Sequence, residues 1–203
     1  MIKKYSYLAL GDSYTIGEMV QPQENFPNQV VQMMTSNSID LERIVARTGW
    51  TTDELEAGII VSDNNKPLLN RYDFVSLLIG VNDQYRGRSV DDYKPGFEEL
   101  LRKAIKYAGN RADHVVVLSI PDWGVTPFAN DRDREQIAKE IDVYNAANKQ
   151  ITGQYNVHYI DITPWTREAV TDNSLLASDG LHPSGKEYKR WAEKITTFFQ
   201  TKL

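Results

Sequence analysis

A serine, a histidine and an aspartate stand at positions whose chemistry suits nucleophilic catalysis. The hydroxyl of Ser13 becomes a nucleophile only when a base removes its proton, and His182 is a candidate base. Asp179 precedes His182 by three residues within a predicted turn, so its carboxylate can orient the imidazole. The chain contains no cysteine, so covalent catalysis would use an oxygen or nitrogen nucleophile. The other two histidines, His114 and His158, lie before and within predicted strands and are interpreted as packing or surface residues.

Three further groups could stabilise the negative oxygen that forms when a serine attacks a carbonyl carbon. Gly49 has no Cβ, so its backbone N–H can approach a ligand closely. Asn82 carries an uncharged amide donor, and the N–H of Ser13 is the third candidate. Such donors lower the barrier because they are aimed in advance at the charge that develops.

Each of these features also has an ordinary structural interpretation. Gly-Asp-Ser and Asp-Gly-Leu-His are common turn sequences, a glycine often closes a turn, and an asparagine often forms an Asx turn. Three aspartates, Asp12, Asp83 and Asp122, offer an alternative interpretation as a metal cluster near His182. They stand beside turn glycines or in turns, where carboxylates have structural uses, so no metal is expected.

Five apolar runs that alternate with helical patterns predict the elements that must position these residues. The predicted strands comprise residues 7–10, 41–46, 74–79, 115–120 and 157–162. Helices are predicted over 26–34, 90–108 and 132–152, and after serine/threonine-x-x-glutamate capping boxes at 51–54 and 184–187. The first capped helix should turn Leu55, Ile59 and Ile60 inward. This alternation implies a three-layer α/β/α sandwich around a flavodoxin-like, five-stranded parallel sheet, in one domain over 1–203.

This arrangement brings the candidate residues to one edge of the sheet. Ser13, Gly49 and Asn82 follow the first three strands, and the Asp179–His182 pair follows the fifth. Ligands of open α/β sheets bind at the carboxyl ends of the strands, so the joint placement favours the catalytic interpretation. Several aromatic residues follow the same strands and are either core residues or walls of a substrate pocket: Tyr14, Trp50, Tyr85, Trp123, Phe128 and Trp165.

Composition excludes some partners and leaves other properties open. The formal net charge is −5 without a basic cluster, so nucleic acid is not expected as a partner. No apolar run approaches the length of a membrane span. The basic start at residues 1–4 resembles the beginning of a signal segment, but the apolar run ends too early, at Leu10, and is interpreted as a strand. A cytoplasmic location is expected if residue 1 is the native start, and export if a signal was trimmed; the oligomeric state stays open.

The chain resembles the SGNH hydrolases, the GDSL-type lipase/esterase superfamily. The family's four blocks are matched in order by Gly11-Asp12-Ser13, by Gly49, by Gly80-Val81-Asn82-Asp83 and by Asp179-Gly180-Leu181-His182. The resemblance implies that Ser13 is the nucleophile, His182 the general base and Asp179 its orienter. It assigns the oxyanion hole to the N–H groups of Ser13 and Gly49 and to Asn82. Tyr14 departs from the leucine of the family name, which bears on the shape of the pocket, and the absence of a G-x-S-x-G motif argues against the ordinary α/β-hydrolase fold.

The resemblance implies a cofactor-free serine esterase that acts on a small-molecule ester. Short-acyl or carbohydrate esters are favoured because no long apolar lid segment is visible. A lysophospholipase or an acyl thioesterase is the alternative within the same class. Alternatives of another class are a nucleotide- or flavin-binding module on the same sheet and a carbohydrate-binding protein without catalysis. The first lacks a glycine-rich phosphate loop, and the intact Ser13, Asp179 and His182 argue against the second.

Overall fold

A single five-stranded parallel sheet is the centre of the computed structural model, which describes residues 4–34 and 38–203. Residues 1–3, at the basic start of the chain, lie outside the described residues. The strands are β1 (Lys4–Asp12), β2 (Ser38–Arg47), β3 (Phe74–Leu78), β4 (Val115–Leu118) and β5 (His158–Ile160). Their order in the sheet is β2-β1-β3-β4-β5, and all neighbours run parallel. The predicted fold class is confirmed.

The central strands are mostly apolar because helices cover both faces of the sheet. All five residues of β3 and all four of β4 are buried, as a strand between two helical layers requires. β1 pairs with β2 on one side and with β3 on the other. From β1 the chain moves to β2 on one side, and from β2 it crosses back over β1 to reach β3 on the other side. The sheet therefore changes winding direction between β1 and β3. Ligands of such folds bind at this switch point.

Eight α-helices are found in the described part of the chain. α2 and α8 contact one another on one face of the sheet, while α3, α5 and α6 follow one another across the other face, as right-handed crossovers require. None of the described helices combines the length and apolarity needed to cross a bilayer. The helices are α1 (Ser13–Ile16), α2 (Phe26–Met33), α3 (Thr52–Asn65), α4 (Val81–Tyr85), α5 (Val90–Tyr107), α6 (Arg134–Gln154), α7 (Thr163–Thr166) and α8 (Gly185–Gln200).

Several local predictions were wrong in detail. The helices α1 and α4 were not predicted, because single helical turns are too short for a periodic pattern. Ile60 is 54% exposed, on the outer side of α3. The capping box at Thr51 is complete, whereas Ser184 caps α8 alone: the Glu187 carboxylate accepts from Trp191 and Arg190 instead of the cap's backbone.

Candidate active site

The turn that carries Ser13 is shaped by the two residues before it. Asp12 has an extended backbone and caps α1, because its Oδ1 accepts the N–H of Tyr14 at 3.0 Å. Gly11 lets β1 approach β3 closely: a Cβ there would lie 2.4 Å from the Leu78 carbonyl oxygen. Ser13 therefore stands at the carboxyl end of β1, with only 4% of its surface exposed.

The turn that carries His182 is held together by Asp179. Its Oδ1 accepts the backbone N–H groups of Leu181 and His182, both at 3.1 Å, which is the geometry of an Asx turn. Gly180 has a φ of +65°, in the left-handed region that glycine adopts without strain. The carboxylate thus builds the turn that presents the histidine.

A continuous chain of hydrogen bonds joins the two turns. The Nδ1 of His182 lies 2.6 Å from Asp179 Oδ2, and its Nε2 lies 3.0 Å from Ser13 Oγ. Because a carboxylate only accepts, the proton belongs on Nδ1, which leaves the Nε2 lone pair to accept the serine hydroxyl. The ring of Tyr14 lies 5.1 Å from the imidazole and covers one side of it. The structure therefore brings together the three residues that the sequence singled out.

The charge on Asp179 is maintained in a half-buried position. Burial opposes its ionisation, but hydrogen bonds from the His182 ring and from the N–H groups of Leu181 and His182 outweigh burial, so the pKa of Asp179 lies below its ordinary value. The carboxylate is consequently available to hold the imidazole in one tautomer and to offset a positive charge on it.

Asn82 lies on α4, next to the serine turn. Gly80 caps α4 with a φ of +127°, and the Asn82 amide donates to the Trp50 carbonyl at 3.0 Å and to Asp12 Oδ2 at 3.3 Å. The Trp50 contact fixes which end of the amide is NH₂. The amide nitrogen of Asn82 therefore lies between the serine turn and the Gly49 loop, where both of its N–H groups have partners.

Gly49 lies in the loop between β2 and α3, with a φ of +81°. Its carbonyl accepts from the Arg86 guanidinium at 2.6 Å, and Arg86 also pairs with Glu54 at 3.0 Å. Within 4–34 and 38–203, the backbone N–H groups of Ser13 and Gly49 donate to no other group. Both donors are thus free to bind a ligand, as oxyanion donors must be.

Asp83 is a structural residue of the site that the sequence did not identify as such. It is fully buried and accepts the N–H and hydroxyl of Thr52 at 3.0 and 2.9 Å, and it pairs with Arg88 at 3.0 Å. Burial raises its pKa, and the Thr52 hydrogen bonds oppose that rise. Thr52 is the first residue of α3 and closely follows the Gly49 loop, whereas Asp83 lies on α4. The hydrogen bonds between Asp83 and Thr52 therefore hold the Gly49 loop against α4. Its place beside Asn82 in the Gly-Val-Asn-Asp block was the available signal.

The three aspartates considered as metal ligands have separate partners. Asp12 binds Tyr14 and Asn82, Asp83 binds Thr52 and Arg88, and Asp122 accepts the Gly124 N–H at 2.9 Å and pairs with Arg167 at 2.8 Å. No group of three or more metal-ligating side chains occurs in the described part of the chain. Burial raises the pKa of Asp12 to about 8, although the Tyr14 N–H lowers it, and the charge of Asp83 adds to the rise.

Of the six aromatic residues that follow the strands, Tyr14, Trp50, Tyr85 and Trp123 were the candidates for a substrate pocket, and they take different places. Tyr14 lies against His182, whereas the Trp50 ring lies on α3, where a Cβ on Gly58 would be 2.1 Å from it. Trp123 is buried and contacts Tyr85 edge-to-face at 5.3 Å. Their role in substrate binding stays a prediction.

The other two histidines lie away from this site. The Nδ1–H of His114 donates to the Asp73 carbonyl at 2.8 Å, and its ring stacks on Phe74. His158 stacks on Phe198 at 4.2 Å. Both are packing residues.

Comparison with known proteins identifies related sequences and folds. The family model described as GDSL-like Lipase/Acylhydrolase family matches residues 9–190. A search of curated proteins found no match.

Solved structures with the same fold include hydrolases from several bacteria. A lipase/acylhydrolase from Enterococcus faecalis is 21% identical with a TM-score of 0.69, over 98% of this chain and 97% of that chain. A psychrotrophic esterase from Pseudoalteromonas sp. is 16% identical with a TM-score of 0.70, over 97% of each chain. An acetylxylan esterase from Geobacillus stearothermophilus is 20% identical with a TM-score of 0.68, over 96% of this chain and 94% of that chain. At these identities the likeness establishes a shared fold.

Proposed function

Because the chain belongs to the GDSL-like lipase/acylhydrolase family, whose members act on ester bonds, we propose that it hydrolyses carboxylic esters through an acyl-enzyme on Ser13. The observation that carries this proposal is the hydrogen-bond chain from Asp179 Oδ2 through His182 to Ser13 Oγ, with lengths of 2.6 and 3.0 Å. A nucleophile, a base and an orienting carboxylate within hydrogen-bond reach are what acyl transfer to a serine requires.

The first half of the reaction forms the acyl-enzyme. The Nε2 of His182 takes the proton of Ser13 Oγ as that oxygen bonds to the carbonyl carbon of the ester. The carbonyl oxygen becomes negative, and Asp179 stabilises the imidazolium. The tetrahedral intermediate then collapses: the carbon–oxygen bond to the alcohol breaks, and the imidazolium gives its proton to the departing alcohol.

The second half releases the acid. Water replaces the alcohol, His182 removes a proton from it, and the resulting oxygen attacks the acyl carbon. Collapse breaks the bond to Ser13 Oγ, which regains its proton from His182. The enzyme returns to its starting state with no external cofactor consumed.

The oxyanion of both intermediates needs donors that are already in place. We assign this role to the N–H groups of Ser13 and Gly49 and to the Asn82 amide, which exchanges its longer contact, 3.3 Å to Asp12, for the oxyanion. The assignment is supported by the two unpartnered backbone donors and by the contacts of Trp50 and Arg86 that hold the Gly49 loop against α4. Donors fixed in this way cost little reorganisation when charge develops.

The substrates we propose are short-acyl esters, with carbohydrate esters among them. Ser13 and His182 are only 4% and 7% exposed, and the Tyr14 ring stands beside the imidazole, which supports a confined acyl site. The similarity to the fold of an acetylxylan esterase is consistent with this class. Activity on p-nitrophenyl esters should then peak between acetyl and butyryl. A steady increase to octanoyl would contradict the short-acyl assignment and favour a lysophospholipase or thioesterase.

Covalent labelling tests the nucleophile. A fluorophosphonate should label the wild-type protein at Ser13, located by peptide mapping, and should not label the Ser13→Ala variant. That variant should lose several orders of magnitude in esterase turnover while keeping its unfolding transition. Ser62→Ala, on α3 and away from the site, is the matched control; it loses only a hydrogen bond from Arg43 and should keep wild-type labelling and turnover. Labelling at another serine, or full turnover by Ser13→Ala, would overturn the proposal.

A further inference from the structure

Three aromatic rings form a surface that the catalytic proposal does not use. This aromatic platform consists of Tyr85 at the end of α4 and of Trp123 and Phe128 in the segment after β4. Tyr85 and Phe128 are 46% and 47% exposed, whereas Trp123 is 5% exposed. The Trp123 ring meets the other two edge-on, at 5.3 and 6.0 Å, and the two exposed rings are 6.2 Å apart. A buried indole thus supports two rings that remain open to solvent.

Hydrogen bonds hold the platform in place. The Trp123 indole N–H donates to Gln84 Oε1 at 2.7 Å, and the Gln84 amide donates to Glu140 on α6, also at 2.7 Å. Gln84 is buried, so this link is protected from water. The Thr126 hydroxyl donates to the Trp123 carbonyl at 2.7 Å and stiffens the same segment. The rings are therefore preorganised, which lowers the entropic cost of binding a ligand on them.

The platform is attached to two elements of the active site. Tyr85 follows Asn82 by three residues on α4, which is nearly one helical turn. On the other side, the N–H of Phe128 donates to the carbonyl of Gly180 at 3.3 Å, and Gly180 belongs to the turn that carries Asp179 and His182. The two exposed rings of the platform are thus attached to α4, which carries Asn82, and to the turn that carries His182.

The chemistry of this surface selects among ligands. Two half-exposed aromatic rings suit a ligand ring with one apolar face and outward hydroxyl groups, whereas an acyl chain is best bound by enclosed apolar walls. The Arg132 guanidinium carbon lies over the Tyr85 ring, 6.0 Å from its centre, so a charged hydrogen-bond donor stands directly beside the aromatic surface. A pyranose matches both features.

We propose that Tyr85 and Phe128, supported by Trp123, form the subsite for the alcohol part of the substrate and bind the sugar ring of an acylated carbohydrate. This inference rests on the proposed esterase function of Ser13 and names the alcohol that its ester carries. The acyl group is transferred to Ser13, and the sugar leaves from the platform with its hydroxyl restored.

The test compares two acetate esters that differ only in the alcohol. Acetate release from an acetylated methyl xyloside and from ethyl acetate is followed by pH-stat titration. Tyr85→Ala and Phe128→Ala should each lower kcat/KM for the sugar ester by about threefold to tenfold, mainly through KM, and leave ethyl acetate unchanged. Tyr85→Phe, which keeps the ring, and Val143→Ala, which shortens an exposed apolar residue on α6, should match the wild type on both esters.

Binding without turnover separates this inference from the catalytic proposal. Calorimetric titration of the Ser13→Ala variant with the acetylated xyloside should show binding that Tyr85→Ala and Phe128→Ala weaken. Equal losses on both esters, or no loss on the sugar ester, would overturn the platform assignment while Ser13 remains the nucleophile. Phenyl acetate serves as a third ester: if Tyr85→Ala and Phe128→Ala lower kcat/KM for phenyl acetate and not for the sugar ester, the platform binds an aryl alcohol and the assignment is overturned. Retained turnover in Ser13→Ala would instead overturn the catalytic proposal.

Discussion

Replacing Asp12 with asparagine should change how the stability of the protein depends on pH. Asp12 is fully buried between the serine turn and Asn82, and burial raises its pKa from an ordinary value of 3.8 to about 8. Between these two values the folded protein keeps a proton that the unfolded chain has lost. The free energy of unfolding of the wild type therefore decreases as the pH rises from about 4 to about 8 and levels off above that range. The Asp12→Asn variant lacks this titration.

The size of the effect follows from the same shift. The full rise in pKa corresponds to an upper limit of about 6 kcal/mol, because each pH unit is worth about 1.4 kcal/mol. Water penetration and relaxation reduce the cost of burying a charge, so we expect the variant to gain about 2 to 4 kcal/mol relative to wild type between pH 5 and pH 8. The substitution also changes the free energy of unfolding by an amount that does not depend on pH, because it alters hydrogen bonds. Asparagine can still accept the Tyr14 N–H as a cap, but its NH₂ group would face the NH₂ of Asn82.

Urea unfolding of both proteins at pH 5, 6, 7, 8 and 9 gives the difference in unfolding free energy between them at each pH. The loss of the Asp12 titration makes this difference change with pH, whereas the altered contacts add the same amount at every pH. Asp53→Asn is the control. Asp53 is largely exposed, and the Arg88 hydrogen bond lowers its pKa to about 2, so it is ionised in both states throughout this range. The difference in unfolding free energy between Asp53→Asn and the wild type should therefore not change with pH. A difference between Asp12→Asn and wild type that stays constant within about 0.5 kcal/mol would show that folded Asp12 is already ionised at pH 5.

Three further substitutions test the site and its support. Asn82→Ala should lower kcat by about 10²-fold to 10³-fold with little change in KM, measured on p-nitrophenyl acetate; a higher KM at constant kcat would make Asn82 a ground-state binder. Asp179→Asn should lower kcat by about 10³-fold to 10⁴-fold because it favours the wrong histidine tautomer, yet unfold close to wild type since its oxygen can still accept the turn's N–H groups. Wild-type kcat in Asp179→Asn would remove the orienting role. Gly80→Ala should lower the free energy of unfolding by about 2 to 4 kcal/mol, because its φ is +127° and the new Cβ would lie 2.6 Å from Tyr93 Oη. Gly87→Ala, with a φ of +74° and open space around it, should cost only about 1 to 2 kcal/mol, and equal losses would exclude the clash.

The sequence was informative about the fold because its signals are local and repeated. Strands buried on both faces must be apolar along their length, so runs such as the one at β3 identify a covered parallel sheet. The short helices α1 and α4 escaped prediction since one turn contains too few residues to show a period. The capping box predicted at Ser184 was incomplete for a different reason. The Glu187 carboxylate accepts a hydrogen bond from the buried Trp191 indole instead of from the backbone N–H of Ser184.

The sequence by itself determined which residues stand at the carboxyl ends of the strands, and therefore that Ser13, Asn82 and His182 belong to one edge of the sheet. Parallel strands all end at the same side, so this follows from order along the chain. Only the tertiary structure decided the contacts between them, because Ser13 and His182 are 169 residues apart in sequence and meet at 3.0 Å through side-chain geometry. It also decided that Asp12 is buried and that Asp83 fastens a loop, since the burial and partners of a carboxylate depend on elements distant in the chain.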